Sequence, residues 1–310
     1  MLSGTTLVLV AFLTVFLMIG IGTTLTVADF RRAVTQPRGV LIGLASQYGW
    51  MPLLGYSAAK LANLPNEMAV GLMVMTCASG GNASNMFSWF ARADVALSVS
   101  MTAIAAVLSV VAMPLLLAAY ASGFTTEDLQ MPYQQIAATL VGMLVPLGLG
   151  MAIRHFRPTW ASKLERPGML SGALMLGIVL WAGAPDMVAN VQAMTGQMLG
   201  SCLAVAASGM LLGYLAARLG GLPSAQRRAV AFETGIQNTP VVIAVVLASF
   251  PGPLQQPVLH MPLVYAMFVL VLALVVTVAL RIADRVRADP HPLQGDHLDS
   301  SSELMPPGEG

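Results

Sequence analysis

Apolar residues in this chain run together in long blocks rather than in short amphipathic segments. Nine blocks approach or exceed the roughly 20 residues of helix needed to cross a bilayer core of about 30 Å. They cover 4–27, 38–61, 67–90, 94–121, 134–155, 168–190, 194–218, 227–249 and 257–281. The first is a span rather than a signal peptide. It has no basic residue ahead of it, it is long, and Asp29, Arg31 and Arg32 follow directly. Residues 282–310, rich in Pro, Gly, Asp and Ser, read as a mobile polar tail on the cytoplasmic side.

Composition agrees. Hydrophobic residues make up 56% of the chain and charged residues 9%, against about 25% charged in a soluble protein. Mean hydropathy is +0.76. Such a chain cannot cover a water-facing surface, and the same numbers exclude disorder. A net charge of +1 without a basic stripe excludes a nucleic-acid partner. Cys77 and Cys202 lie inside apolar runs, and His155, His260, His291 and His297 form no helical ligand pair, so neither a disulfide framework nor a metal cluster is implied. The expected fold class is an all-α integral membrane protein whose partner is the lipid bilayer.

Basic residues orient it. Arg31, Arg32, Arg38, Arg92, Arg154, Arg157, Lys163, Arg166, Arg218, Arg227, Arg228, Arg281, Arg285 and Arg287 fall on one face, and only Lys60 falls on the other. The positive-inside rule then puts the N-terminus outside and the C-terminus in the cytoplasm. An even number of spans would scramble this parity.

Two blocks are interrupted by polar chemistry. In span 8, Glu233 lies well inside the apolar run, where a charge costs about 2.5–3.5 kcal/mol and marks a functional site by default. Gln237, four residues on, shares its helical face. Gly235 and Pro240 both disfavour continuous helix there. In span 3, Ser79-Gly80-Gly81-Asn82-Ala83-Ser84-Asn85 stands where Leu and Val would be expected. A small-residue packing seam would explain the glycines and Ser84 but not Asn82 and Asn85 together. Two broken helices in corresponding positions of two halves are the best sequence pointer to a transporter binding site. Spans 3 and 8 are five apart, so spans 1–4 match spans 6–9 in inverted orientation. The first repeat is 1–121, and the second is 134–281 with span 5 leading it.

Other polar groups fit the same cluster. Ser98 and Thr102 share a face of span 4, and Gln47 sits mid-span 2 just before Met51-Pro52. The side chains of Glu233, Gln237, Gln47, Ser84, Asn85, Ser98 and Thr102 offer hard oxygens with a single carboxylate, a set suited to a monovalent cation, Na⁺ or H⁺. Each lone Ser or Thr has the alternative of a bond back to its own helix.

These segments resemble the bile acid:sodium symporter family. Gly80-Gly81-Asn82-Ala83-Ser84-Asn85, with Ala91-Arg92-Ala93-Asp94-Val95-Ala96-Leu97-Ser98 after it, is similar to that family's first crossing helix and the helix that follows. Glu233-Thr234-Gly235-Ile236-Gln237-Asn238 is similar to its second crossing helix, and Gln47 to Pro52 also matches. The likeness spans nearly all of residues 10–285. It implies a sodium site at Ser84, Asn85, Ser98, Thr102 and Glu233. A second would use Gln47, Glu233 and Gln237 with main-chain oxygens near Thr234 and Ile236, and no cofactor beyond the coupling ion. Substrate would sit near Gly81, Asn82 and Asn238. A core of spans 2–4 and 7–9 would move against a panel of spans 1, 5 and 6, in a bacterial inner membrane. Two departures are visible. The chain starts where the second span of bacterial relatives would start, which leaves three panel helices. Position 82 is Asn where Thr or Ser is commoner.

The resulting expectation is sodium-coupled symport of an organic anion, bile-acid-like or a small carboxylate such as pantoate. The rival is a proton-coupled or uncoupled anion carrier on the same fold. An enzyme is not expected, since one buried Glu supplies neither paired acidic motifs nor a phosphate clamp.

Overall fold

A computed structural model describes residues 4–35, 37–182 and 196–288, and every regular element in them is helical. In chain order these are α1 (Gly4–Thr24), α2 (Val27–Thr35) and α3 (Pro37–Ala45), a π-helical turn (Ser46–Trp50), then α4 (Met51–Leu61) and α5 (Asn66–Thr76). There follow α6 (Ala83–Phe90), α7 (Val95–Tyr120) with a 3₁₀ turn (Ala121–Phe124), α8 (Tyr133–Phe156) and α9 (Pro158–Ala182). The last four are α10 (Gly196–Leu219), α11 (Ser224–Gly235), α12 (Thr239–Ser249) and α13 (Gly252–Ala288). Among the described residues, α1, α7, α8, α10 and α13 are long and apolar enough to cross a membrane unaided.

Four departures from the spans expected from hydropathy have an identifiable reason. Span 1 stops at Thr24, and the polar stretch after it folds as a separate short helix, α2. Asp29 there accepts from both the amide and the hydroxyl of Thr26 at 2.7 Å, which ties down the first turn of a helix where a loop was expected. Span 2 is helical throughout but widens by one residue at Ser46–Trp50, so that the Met51 amide reaches Ser46 O. Pro52 has no N–H for the Tyr48 carbonyl, and the wider turn absorbs that missing bond. Span 6 begins ten residues early, at Pro158, since proline suits a first helical position. Its expected end and Asp186 lie outside the described residues.

The fourth shift is at the C-terminus. The expected tail from residue 282 is helical as far as Ala288, because Asp284 is drawn onto Arg228 (Nη2–Oδ1 2.5 Å, Nη1–Oδ2 2.7 Å). Arg228 also donates to Ala91 O at 2.9 Å. This clamp joins the ends of α6, α11 and α13. Removing one partner of a buried pair strands the other charge. Asp284→Ala is therefore expected to cost about 3 kcal/mol, at the low end for such pairs because a quarter of the Asp284 side chain stays accessible (25%). Unfolding of the detergent-solubilised protein measures this, and a loss below about 1 kcal/mol refutes a structural clamp.

Helices α8 and α9 flank α1 through glycines. Gly22 meets Gly150, Gly20 meets Gly168, and a Cβ at Gly20 would strike the Gly168 backbone. Small residues let helix backbones approach closely where lipid offers no hydrophobic drive for association.

Candidate ion and substrate site

Both interrupted stretches are broken helices that cross. The first runs as α5, six residues of irregular chain, and α6; the second as α11, Ile236 to Asn238, and α12. The break in the second follows from Pro240, which has no amide for Ile236 O and takes its place in the first turn of α12. At the crossing the freed backbone groups satisfy one another. Gly81 N donates to Ile236 O at 2.9 Å and Asn238 N to Ser79 O at 3.0 Å, and Gly80 pairs with Gln237 as a single antiparallel bridge. Backbone outside a helix survives at membrane depth only when its polar groups are paired or face a cavity. The Gly235 carbonyl at the end of α11 accepts from the buried Tyr265 hydroxyl at 2.7 Å.

Four helix ends therefore meet there. The C-terminal ends of α5 and α11 carry partial negative charge and the N-terminal ends of α6 and α12 partial positive charge. Such a set of helix ends suits a cation on one side and an anion on the other.

Glu233 occupies the last turn of α11 and is 2% exposed. Its Oε2 accepts from Ser84 Oγ (2.5 Å) and Ser98 Oγ (3.2 Å), and its Oε1 from Thr102 Oγ1 (2.7 Å). Thr102 also bonds back to Ser98 O at 3.0 Å and lies 3.4 Å from Asn85 Oδ1. Five of the candidate residues thus converge: Ser84 and Asn85 from α6, Ser98 and Thr102 from α7, and Glu233 from α11. Among the described residues no Lys, Arg or His forms an ion pair with Glu233. The carboxylate is buried with hydroxyl donors alone.

A second polar knot lies beside it. Gln47, on the π turn, donates to Gln237 Oε1 and to Ala78 O, both at 2.8 Å. Gln237 donates to Thr234 O at 2.9 Å and lies 3.4 Å from Gln47 Oε1. The wide turn before Pro52 is what aims Gln47 inward, and such bulges recur at functional positions. Two expected ligands differ in detail. Both expected main-chain oxygens already accept a hydrogen bond, Ile236 O from Gly81 N and Thr234 O from Gln237 Nε2. No hydrogen bond links Glu233 to Gln47 or Gln237, so the two sets adjoin without merging.

Gly81, Asn82 and Asn238 line one cavity of about 330 Å³. Asn82 and Asn238 are the N-cap residues of α6 and α12. Asn238 caps its helix by accepting from Val241 N at 3.4 Å, whereas Asn82 Nδ2 is buried without a partner. Apolar side chains of α1, α9 and α13, among them Leu17, Met169 and Leu270, close the rest. None of these was a candidate in the sequence, and neither were Ala78 O or Tyr265. Each acts by position alone, and a Leu or a backbone oxygen carries no distinguishing mark in an apolar run.

The model for the Sodium Bile acid symporter family matches residues 11–190, which is more than half of the chain. The chain belongs to the sodium bile acid symporter family. Related members include the human hepatic sodium/bile acid cotransporter, 32% identical over 84% of this chain and 76% of that protein. The human ileal sodium/bile acid cotransporter is 32% identical over 83% of this chain and 74% of its own length. The Arabidopsis thaliana protein named "Probable sodium/metabolite cotransporter BASS1, chloroplastic" is 37% identical over 76% of this chain and 58% of that protein. Members of the sodium bile acid symporter family are transporters, and this chain is a multi-pass membrane transporter rather than an enzyme.

Proposed function

We propose that this transporter couples inward movement of an organic anion to sodium by alternating access. The observation that carries this is Glu233, an acidic side chain buried at the crossing and compensated by Ser84, Ser98 and Thr102 hydroxyls alone. A buried carboxylate without a cation is costly. Hard oxygen donors with one negative charge suit an alkali ion better than a tightly bound divalent metal. Glu233, Ser84, Asn85, Ser98 and Thr102 would hold one sodium. Gln47, Gln237, Glu233 and the backbone near Thr234 and Ile236 would hold a second, once a Gln amide turns its oxygen inward. That the named relatives are sodium cotransporters supports the same reading.

The substrate site in this proposal is the cavity bounded by Gly81, Asn82 and Asn238. The unpartnered Asn82 amide and the positive ends of α6 and α12 receive a carboxylate, and the apolar wall receives its hydrocarbon body, bile-acid-like or smaller. Nine spans form two inverted repeats, with spans 2–4 and 7–9 as the core. The glycine seam joining α1 to α8 and α9 supports a separate panel of spans 1, 5 and 6. The fourteen basic residues on one face support an outside N-terminus and a cytoplasmic C-terminus in a bacterial inner membrane.

The test is uptake of labelled carboxylates into proteoliposomes with an inward sodium gradient, against choline in its place and across pH at fixed sodium. Uptake is expected to follow the sodium gradient. Equal uptake in choline, with a dependence on pH instead, overturns sodium in favour of protons.

A further inference from the structure

The short helix α2 has no part in the crossing, yet its surroundings are specific. Its outward face carries Val27 and Val34, 67% and 78% exposed, with Arg31 between them. Its inward face sets Ala33 and Phe30 against the protein. Two large apolar side chains flanking an exposed arginine are poorly placed for water but well suited to the boundary between headgroups and acyl chains.

A basic cavity lies on each side of this helix. One, about 620 Å³, is walled by Val27 and Ala28 and by Arg154, His155 and Phe156 at the end of α8. The other, about 230 Å³, is lined by Arg32, Arg38, Ser100 and Gln226. Acidic groups nearby are already engaged: Asp29 by Thr26, and Asp94 by Leu97 N, Gln226 and Arg32 (3.6 Å). Arg38 and Arg154 form no ion pair among the described residues. At the same level, exposed Phe156 and Trp160 (73% and 62%) supply the aromatic side chains that mark a membrane–water interface.

We infer that the two cavities flanking α2 are docking sites for the headgroups of anionic phospholipids, one at each. Arg38 and Arg154 supply unpaired charge, and Val27 and Val34 meet the acyl chains. Basic pockets between membrane helices on the cytoplasmic side bind such headgroups, so the inference rests on the orientation proposed above. The position has a consequence. α2 is the link between α1 and α3, which fall on opposite sides of the proposed panel and core, so a lipid held there loads the joint that must flex during transport.

The test uses the full chain in neutral detergent, with dioleoyl phosphatidylglycerol or dioleoyl phosphatidylcholine added and retained lipid counted by native mass spectrometry. Phosphatidylglycerol is expected to be retained preferentially. The double variant Arg38→Gln/Arg154→Gln should weaken that retention about tenfold to thirtyfold, whereas Arg38→Lys/Arg154→Lys should keep most of it. Arg38 is exposed and Arg154 half-buried, and neither makes an ion pair among the described residues, so the variants fold. Equal retention of the two lipids, or unchanged retention in the Gln double variant, overturns the site. So does displacement of phosphatidylglycerol by inorganic phosphate at low millimolar concentration, which would make it a site for soluble phosphate. The assay needs neither sodium nor substrate, so its failure leaves the transport reading standing.

Discussion

Glu233→Gln is expected to abolish sodium-stimulated uptake while leaving the protein folded. The substitution preserves shape and removes only the charge. Ser84, Ser98 and Thr102 hydroxyls at 2.5–3.2 Å can donate to an amide oxygen and accept from an amide nitrogen as readily as they now serve the carboxylate. Stability without sodium should therefore change by less than about 1 kcal/mol, or rise, because an uncompensated buried charge is gone. Sodium loses the one full negative charge in its cage. With about 3 kcal/mol for that loss, half-saturation by sodium moves up about 100-fold or beyond reach. The measurement is the sodium dependence of both the melting temperature and uptake. A ligand that binds only the folded state raises the melting temperature, so the variant should melt at one temperature in sodium and choline. Wild-type sodium dependence in this variant would end the proposal. Thr102→Val removes one hydroxyl and no charge, and is expected to give a smaller, graded rise in half-saturation.

What could be read from the chain alone divides along a physical line. Glu233, Gly235, Pro240 and the Ser79 to Asn85 run stand out because each breaks a rule that an uninterrupted membrane helix must obey. They are where the structure shows broken helices and a buried carboxylate. Gln47 stood out as an amide in an apolar run, but the π turn that aims it did not, since that turn depends on how Ser46 to Met51 accommodate Pro52. The helical form of α2 was missed because hydropathy records Asp29, Arg31 and Arg32 as polar and cannot see the bonds from Thr26 to Asp29. The extension of α13 to Ala288 was missed because its cause, Arg228, lies 56 residues away from Asp284 in the chain. Tyr265 and Leu17 belong to the same class. Their roles come from contacts between distant segments, and no local pattern records those.

The glycines of the crossing make a second pair of strong effects, and adjacent positions should fail in different ways. A Cβ at Gly80 would fall on Glu233 Oε1 and lie 2.8 Å from its Cδ; a Cβ at Gly81 would lie 2.7 Å from Gln237 O and 3.1 Å from Asn238 Cα. The nearest obstacle at Gly80 is the far end of a side chain, which can swing aside, with the Glu233 carbonyl behind it at 3.0 Å. The obstacle at Gly81 is backbone held in the bridge between the two broken helices, and it cannot yield without parting Gly81 N from Ile236 O and Asn238 N from Ser79 O. Gly80→Ala is therefore expected to lose sodium-induced stabilisation, because the displaced carboxylate no longer meets Ser84 and Thr102 together, and to lose less stability in choline than Gly81→Ala. Gly81→Ala should cost about 3 kcal/mol of stability whether or not sodium is present, at the top of the usual range for overpacking because no side chain can relax. Melting both variants in sodium and in choline separates the two failures. Equal sodium stabilisation in Gly80→Ala and wild type would mean that the carboxylate does not hold the ion. A Gly81→Ala protein as stable as wild type would mean that the crossing is looser than its two paired backbone bonds require.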